Sequence, residues 1–157
     1  MRQPWEDVDL STLPGHFARR LQQLAVALFV EEVGDLHLTP VQYSALQAIA
    51  THPGIDQKTL AGTIAYDTST IAGVIDRLEA RGLVERKVAA ADRRARQLHP
   101  TAQGLSVLAE VIPRMLRCQE RLVAPLTPAE RQEFLRMMRV LVEANAELSN
   151  MPARDGG

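Results

Sequence analysis

Three hydroxyl side chains, Thr68, Ser69 and Thr70, stand in a row behind the carboxylate of Asp67, and the residues that follow on the same side are small or basic: Ala72, Gly73 and Arg77. Hydroxyls exchange hydrogen bonds with base edges and phosphates, and a guanidinium reaches phosphate or a guanine edge. Small side chains let a helix approach a groove floor. Glycine inside a helix costs roughly 1 kcal/mol against alanine, which a purely structural helix has little reason to bear. A second group is Arg93 and Arg94, a pair of cations suited to the negative potential of a narrow minor groove. A third is His16, Arg20 and Gln23, spaced i, i+4, i+7 beside an apolar stripe of Phe17, Leu21, Leu24 and Leu28. Arginine grips a planar carboxylate with two parallel bonds, and with Tyr43, Ser44 and Met115 closing over it this stripe offers a pocket for a small anion. A solvated helix face has the same pattern.

Other chemistries find little support. His16, His37, His52 and His99 are scattered, with no metalloprotease spacing, no phosphate-cradling glycine loop and no nucleophile elbow. The reading is therefore not an enzyme, with no cofactor and no metal. Cys118 is the one cysteine, which excludes an intrachain disulfide and a cysteine-based cluster. Arg114, Arg117 and Arg121 flank it at helical spacings. An oxidant-sensing thiol needs exposure and a lowered pKa, whereas a lone mid-helix cysteine is more often packing.

The chain has 157 residues, 46% hydrophobic and 24% charged, enough for a core and too apolar for global disorder. Its net charge of −1 argues against a nucleic-acid binder until the distribution is considered. Residues 81–100 hold Arg81, Arg86, Lys87, Arg93, Arg94 and Arg96 against Glu85 and Asp92, a local basic patch on an acidic chain. The N-terminal "MRQPWEDVDLSTLPGHF" does not read as a signal peptide, and "LAVALFV" is too short to span a bilayer. A cytoplasmic protein with no membrane partner is expected.

The elements that must position these residues are legible from their ends. "TPVQ" (39–42) and "TPAE" (127–130) are capping boxes with proline at the first helical position. Asp56 and Asp67 are further N-caps, and Gly82 suits a left-handed C-cap. The spacing predicts helices over 14–34, 40–51, 57–64, 68–81, 102–123 and 128–148, the fifth continuing with a kink through Pro113. Leu83–Val88 and Ala95–His99 read as two short strands with an extended tip between them. Residues 1–12 and 150–157 read as loose termini. Two short helices joined by "AYD" form a helix-turn-helix, with Ile71, Val74, Ile75 and Leu78 as the packed back of its second helix.

The succession "LTPVQYSALQAIA", "IDQKTLAGTIAYDTSTIAGVIDRLEARGLVER" and "ADRRARQLHPTAQG" between long helices resembles the multiple antibiotic resistance regulator (MarR) family over about residues 14–148. Asp92 and Arg94 match the family's Asp-x-Arg wing. Thr101 and Gly104 match its Leu-Thr-x-x-Gly start of the fifth helix, with Pro100 in place of leucine. The resemblance implies a mainly α fold: a winged helix-turn-helix with a two-stranded β-wing, plus a helical dimerisation region built from the N- and C-terminal helices. It divides the chain into an arm and first dimerisation helix (1–34), a DNA-binding domain (35–100) and C-terminal dimerisation helices with a tail (101–157). It implies a homodimer on an inverted-repeat operator in double-stranded DNA, contacted by Thr68, Ser69, Thr70, Gly73, Arg77, Arg93 and Arg94. Asp92 would pair with Arg94 to shape the wing, so that losing Arg94 acts partly by deforming it. Family members are commonly repressors released by an aromatic carboxylate, which would bind His16, Arg20, Gln23, Tyr43, Ser44 and Met115. Val26, Phe29, Val30, Leu122, Phe134, Leu135, Met138 and Leu141 are the expected dimer seam. The alternatives are an oxidant-responsive regulator using Cys118, although the family's peroxide sensors carry their cysteine near the first helix, and a helical protein-interaction module, which leaves the arginine wing unexplained.

Overall fold

The computed structural model describes residues 3–149. Its helices are α1 (Pro14–Val33), α2 (Pro40–Thr51), α3 (Gln57–Thr63), α4 (Thr68–Ala80), α5 (Ala102–Val123), α6 (Pro128–Ala144) and α7 (Ala146–Ser149), with strands β1 (Val84–Val88) and β2 (Arg96–Pro100) between α4 and α5. Both capping boxes form. Gln42 N–H donates to Thr39 Oγ1 at 3.2 Å, and Thr39 N–H donates to the Gln42 side chain at 3.1 Å. Thr127 and Glu130 repeat the exchange. These bonds satisfy orphan N–H groups of each first turn. Just past the C-cap of α4, Gly82 adopts φ 70°, and Leu83 N–H returns to Leu78 O at 3.0 Å. That bond closes the helix terminus, so β1 starts one residue later than the pattern suggests.

α5 runs unbroken through Pro113. The sixth predicted helix is interrupted at Asn145, whose side-chain amide donates to Leu141 O at 2.8 Å, and a short α7 follows. The N-terminal segment is not loose over its described part. It forms 3-10 turns at Pro4–Asp7 and Leu10–Thr12, the second capped by Asp9, which accepts from Ser11 N–H at 2.9 Å. The expected loose tail at 150–157 lies outside the described residues.

The antiparallel pair β1–β2 places Arg86 opposite Leu98 and Val88 opposite Arg96. Ile55, in the α2–α3 connection, adds a bridge to Leu98. Ile71, Val74, Ile75 and Leu78 of α4 are all buried, as their spacing predicts, and join Leu46, Ile49, Leu60, Leu83, Val84 and Leu98 in one core. Each such fully buried side chain contributes about 1.5–3 kcal/mol. The same cluster continues into α1 and α5 through Leu28, Phe29, Val33, Leu108, Val111 and Cys118. α1 packs chiefly along α5. α6 buries no residue within the chain, and Leu135, Met138, Val140, Leu141 and Val142 are exposed along it. Phe29, expected at a seam between subunits, is only 5% exposed and packs against the Tyr43 ring, with centroids 5.9 Å apart.

Candidate nucleic-acid interface and effector cavity

α3 and α4 meet through a tight turn in which Ala65 takes the left-handed conformation (φ 58°). Asp67 opens α4 by accepting from Thr70 N–H at 2.8 Å, from Thr70 Oγ1 at 2.5 Å and from Ser69 Oγ at 2.7 Å. These hydrogen bonds, the Thr70 hydroxyl first, hold its carboxyl at about 2. Two of the three hydroxyls therefore commit their protons to Asp67 and present lone pairs outward. Thr68, Ser69, Thr70, Gly73 and Arg77 are all exposed on α4. A Cβ added at Gly73 would meet nothing within 4 Å, so no contact within the chain requires glycine there.

The basic run divides once folded. Arg86 bridges Asp76 at 2.6 Å and Glu79 at 2.8 Å, tying β1 to α4, and Lys87 pairs with Glu85 at 2.9 Å. Arg81 turns to backbone carbonyls of Leu36 and His37. What remains is the wing tip. The Arg93 and Arg94 side chains have no hydrogen bond or ion pair among the described residues, and Arg96 lies beside them, donating to Arg93 O at 3.3 Å. Asp92 does contact Arg94, but its carboxylate accepts from the backbone N–H at 2.9 Å and not from the guanidinium. Ala95 N–H donates to Asp92 O at 3.1 Å and Ala89 N–H to Ala95 O at 3.1 Å, so the tip is a turn organised by Asp92 and closed at its base, and neither the Arg93 nor the Arg94 guanidinium takes part in it.

A cavity of about 170 Å³ opens between α1, α2 and α5, lined by Gln22, Ala25, Val26, Phe29, Pro40, Tyr43, Ser44, Met115 and Gln119. Tyr43, Ser44 and Met115 of the expected pocket line it. His16, Arg20 and Gln23 do not line it within one chain. Successive helix residues are turned by about 100°, so the face bearing Gln22, Val26 and Phe29 leaves the His16–Arg20–Gln23 stripe pointing elsewhere. His16 instead approaches Arg19 at 3.5 Å and stacks edge-on against Phe17. Gln22 and Gln119 were not anticipated. Gln119 sits four residues after Met115, one helical turn, which is the sequence signal that could have found it. The Tyr43 hydroxyl is buried without a hydrogen-bond partner among the described residues, and burial raises its pKa. A buried hydroxyl without a partner is costly unless something polar reaches it.

Cys118 is 2% exposed, with its thiol directed at Leu28 O (3.4 Å) and Arg114 O (3.2 Å). Burial and the Glu32 carboxylate push that thiol up. The flanking arginines are spent on carboxylates: Arg121 on Glu31 and Glu32, Arg117 on Glu32, Arg114 on Asp35. This is the opposite of the environment a redox sensor needs.

A helix-turn-helix followed by a basic antiparallel wing and flanked by long helices defines a winged-helix protein. The family model described as "MarR family" matches residues 38–95. The transcriptional regulator HosA of Escherichia coli is 36% identical over 127 residues, covering 81% of this chain and 93% of that protein. The chain belongs to the MarR family and is a transcriptional regulator of that type. Among solved structures, the PcaV regulator of Streptomyces coelicolor in complex with its natural ligand superimposes with a TM-score of 0.82 at 37% identity, over 92% of this chain and 99% of that one. Bordetella bronchiseptica BpsR, whose DNA binding is regulated by 6-hydroxynicotinic acid, matches with a TM-score of 0.81 at 30% identity, over 85% and 96%. No helix among the described residues is long and apolar enough to cross a membrane.

Proposed function

We propose that the protein is a homodimeric repressor that binds an inverted-repeat operator and is released by a small aromatic carboxylate. The cavity bounded by α1, α2 and α5, with the unpartnered Tyr43 hydroxyl inside it, is the observation that carries this reading. It lies where the long helices meet the helix-turn-helix lobe, so a ligand there touches both. A ligand alters DNA affinity only through unequal affinity for binding and non-binding states. Relatives support the class of ligand, since 6-hydroxynicotinic acid is a hydroxylated aromatic carboxylic acid.

On DNA, α4 enters the major groove. Thr68, Ser69 and Thr70 meet base edges, Arg77 meets phosphate, and Gly73 permits close approach. Ser69 and Thr70, having donated to Asp67, act as acceptors for the amino groups of cytosine or adenine. The exposed apolar faces of α1 and α6, with Val26, Val30, Leu135, Met138 and Leu141, pair with a second copy. Obligate interfaces of this kind bury on the order of 2,000 Å² or more. Sedimentation at micromolar concentration is expected to give the dimer mass, and a well-folded monomer would contradict it.

In the cavity, the ring packs on Phe29, Tyr43 and Met115, and its polar substituent takes the Tyr43 hydroxyl. The lining is neutral and the His16–Arg20 stripe of the same α1 points elsewhere, so the acid group extends to the mouth, where Arg20 or His16 from the second copy of the dimer supplies the cation. A thermal-shift screen of small aromatic acids identifies a ligand, because a state-selective ligand raises apparent stability. That ligand is expected to weaken operator binding about 5- to 150-fold in the parent. Tyr43→Phe should need about tenfold more of it, for one lost hydrogen bond. Arg20→Ala should keep operator binding and lose the response. An unchanged Arg20→Ala response puts the acid on another residue; an unchanged Tyr43→Phe response as well means that the cavity is not the effector site.

A further inference from the structure

Arg81, the C-cap residue of α4, sends its guanidinium back across 44 and 45 positions of sequence. Nη1 donates to His37 O at 2.7 Å and Nη2 to Leu36 O at 3.0 Å. Those carbonyls belong to the connection between α1 and α2, a 3-10 turn at Gly34–Leu36 that ends on His37 in the left-handed conformation (φ 53°). The same turn is also held by α5. Arg114 Nη1 donates to both carboxylate oxygens of Asp35, at 2.7 and 2.9 Å, while its Nη2 holds Glu110 at 2.8 Å. That guanidinium keeps the Asp35 carboxyl below its usual range. The α1–α2 turn is thus clasped between the end of the helix assigned to the major groove and the long helix of the frame. The next residue of α5 after Arg114 is Met115, which lines the cavity.

Among the described residues, the end of α4 is also hydrogen-bonded to the start of α5. Thr101, at the start of α5, donates its hydroxyl to Gly82 O at 2.6 Å and its N–H to Leu83 O at 3.1 Å. The buried face of α4 holds it against α2 and α3 within its lobe, so the polar ties at its end bear on how that lobe sits against α1 and α5. A second anchor, on a different element, fixes the angle.

Resting on the dimeric DNA-binding reading above, we propose that Arg81 is a positioning residue that sets the angle of α4 on the α1–α5 frame, and with it the separation of the two recognition helices in the dimer. Arginine suits the task because its planar fork addresses two successive carbonyls at once, whereas a lysine is a point charge. Two-fold readers need half-site centres about one helical turn apart, so a small change of angle at each subunit is read out as a change of preferred spacing. The clasp also gives the cavity a route to the recognition helices, through Met115, Arg114 and the α1–α2 turn. Arg81 itself touches neither ligand nor DNA in this account.

The test uses the full chain and duplexes only. The parent selects an operator from a random duplex pool. Affinities are then measured for that operator, for versions with one or two base pairs added or removed at the dyad, and for a single half-site. The parent is expected to lose about 100-fold on a shift of two base pairs, since the half-sites leave register with the dimer. Arg81→Gln should retain half-site affinity to within about twofold and reduce that spacing penalty to below about tenfold, within the range of allosteric couplings. Arg81→Lys, which keeps the cation and loses the fork, should fall between the two. It serves as the measured variant if Arg81→Gln fails to give the parent's circular dichroism and dimer mass. Uniform weakening on every duplex with an unchanged spacing profile would mean that Arg81 only stabilises the fold, and would overturn the proposal. A parent that selects no duplex would overturn the DNA-binding reading itself.

Discussion

Replacing Arg93 and Arg94 together by alanine is expected to lower operator affinity by about 10²- to 10³-fold at physiological salt. The wing turn is held by Asp92 through the Arg94 N–H and through Ala95, and neither guanidinium takes part. Alanine at these positions therefore removes cations without disturbing the turn. Four guanidiniums are lost per dimer, and about 0.7–1 kcal/mol for each gives that range. If each neutralises a phosphate or replaces its counterion in the minor groove, the salt dependence should flatten by about three to four units of slope. The single variants should be similar, because Arg94 shapes the wing through its backbone and not through its side chain. Asp92→Ala gives the contrast: it makes the wing more positive, yet should weaken binding by loosening the turn. Operator titrations across a salt series decide the matter. An Arg93→Ala/Arg94→Ala variant that binds like the parent removes the wing from the interface.

Gly104→Ala should be the most damaging glycine-to-alanine change among the described residues. A Cβ there would lie 2.1 Å from Leu83 O and 3.0 Å from Leu83 C, both backbone atoms that cannot rotate aside. The first turn of α5 rests on this strand root, with Gly104 N–H on Thr101 Oγ1 at 3.0 Å and Thr101 on Gly82 and Leu83. Overpacking of this kind costs about 3 kcal/mol or more, and the shift it forces tilts the wing as well. Gly73→Ala should do the reverse. Nothing lies near its added methyl, so helix propensity alone should stabilise the fold by roughly 0.5–1 kcal/mol, while closer approach to a groove floor is impeded and DNA affinity falls. Urea unfolding of the two variants with unchanged slopes, set beside operator titrations, separates a glycine needed by the fold from one left free for a partner.

The sequence carried most of the fold because its punctuation is local. Thr39 with Gln42, Thr127 with Glu130 and Asp67 with Thr70 are each three residues apart, so the bonds that start those helices form whatever the tertiary arrangement. The buried face of α4 followed from spacing alone. The cavity was only half legible. Tyr43, Ser44 and Met115 are readable from the sequence, yet the pattern of α1 favours the neighbouring His16–Arg20–Gln23 stripe, since periodicity gives a helix several faces without saying which one meets α5.

What the sequence by itself determined, then, is the order of the elements and the starts of the helices, the hydroxyl-led helix and the arginine tip, because all of these rest on interactions within a few residues. Tertiary structure decided which charges survive for a partner. Arg86 is held by Asp76 and Glu79 across the α4–β1 junction, and Arg81 by carbonyls 44 and 45 positions away. Arg114, Arg117 and Arg121 are spent on Glu31, Glu32 and Asp35, 79 to 90 positions away. It also placed Phe29 and Cys118 in the core and turned Gln22 into the cavity. The physical reason is that a guanidinium's partner, and the rotation of a helix about its own axis, are set by surfaces brought together only when α1 lies along α5 and the wing folds back on α4.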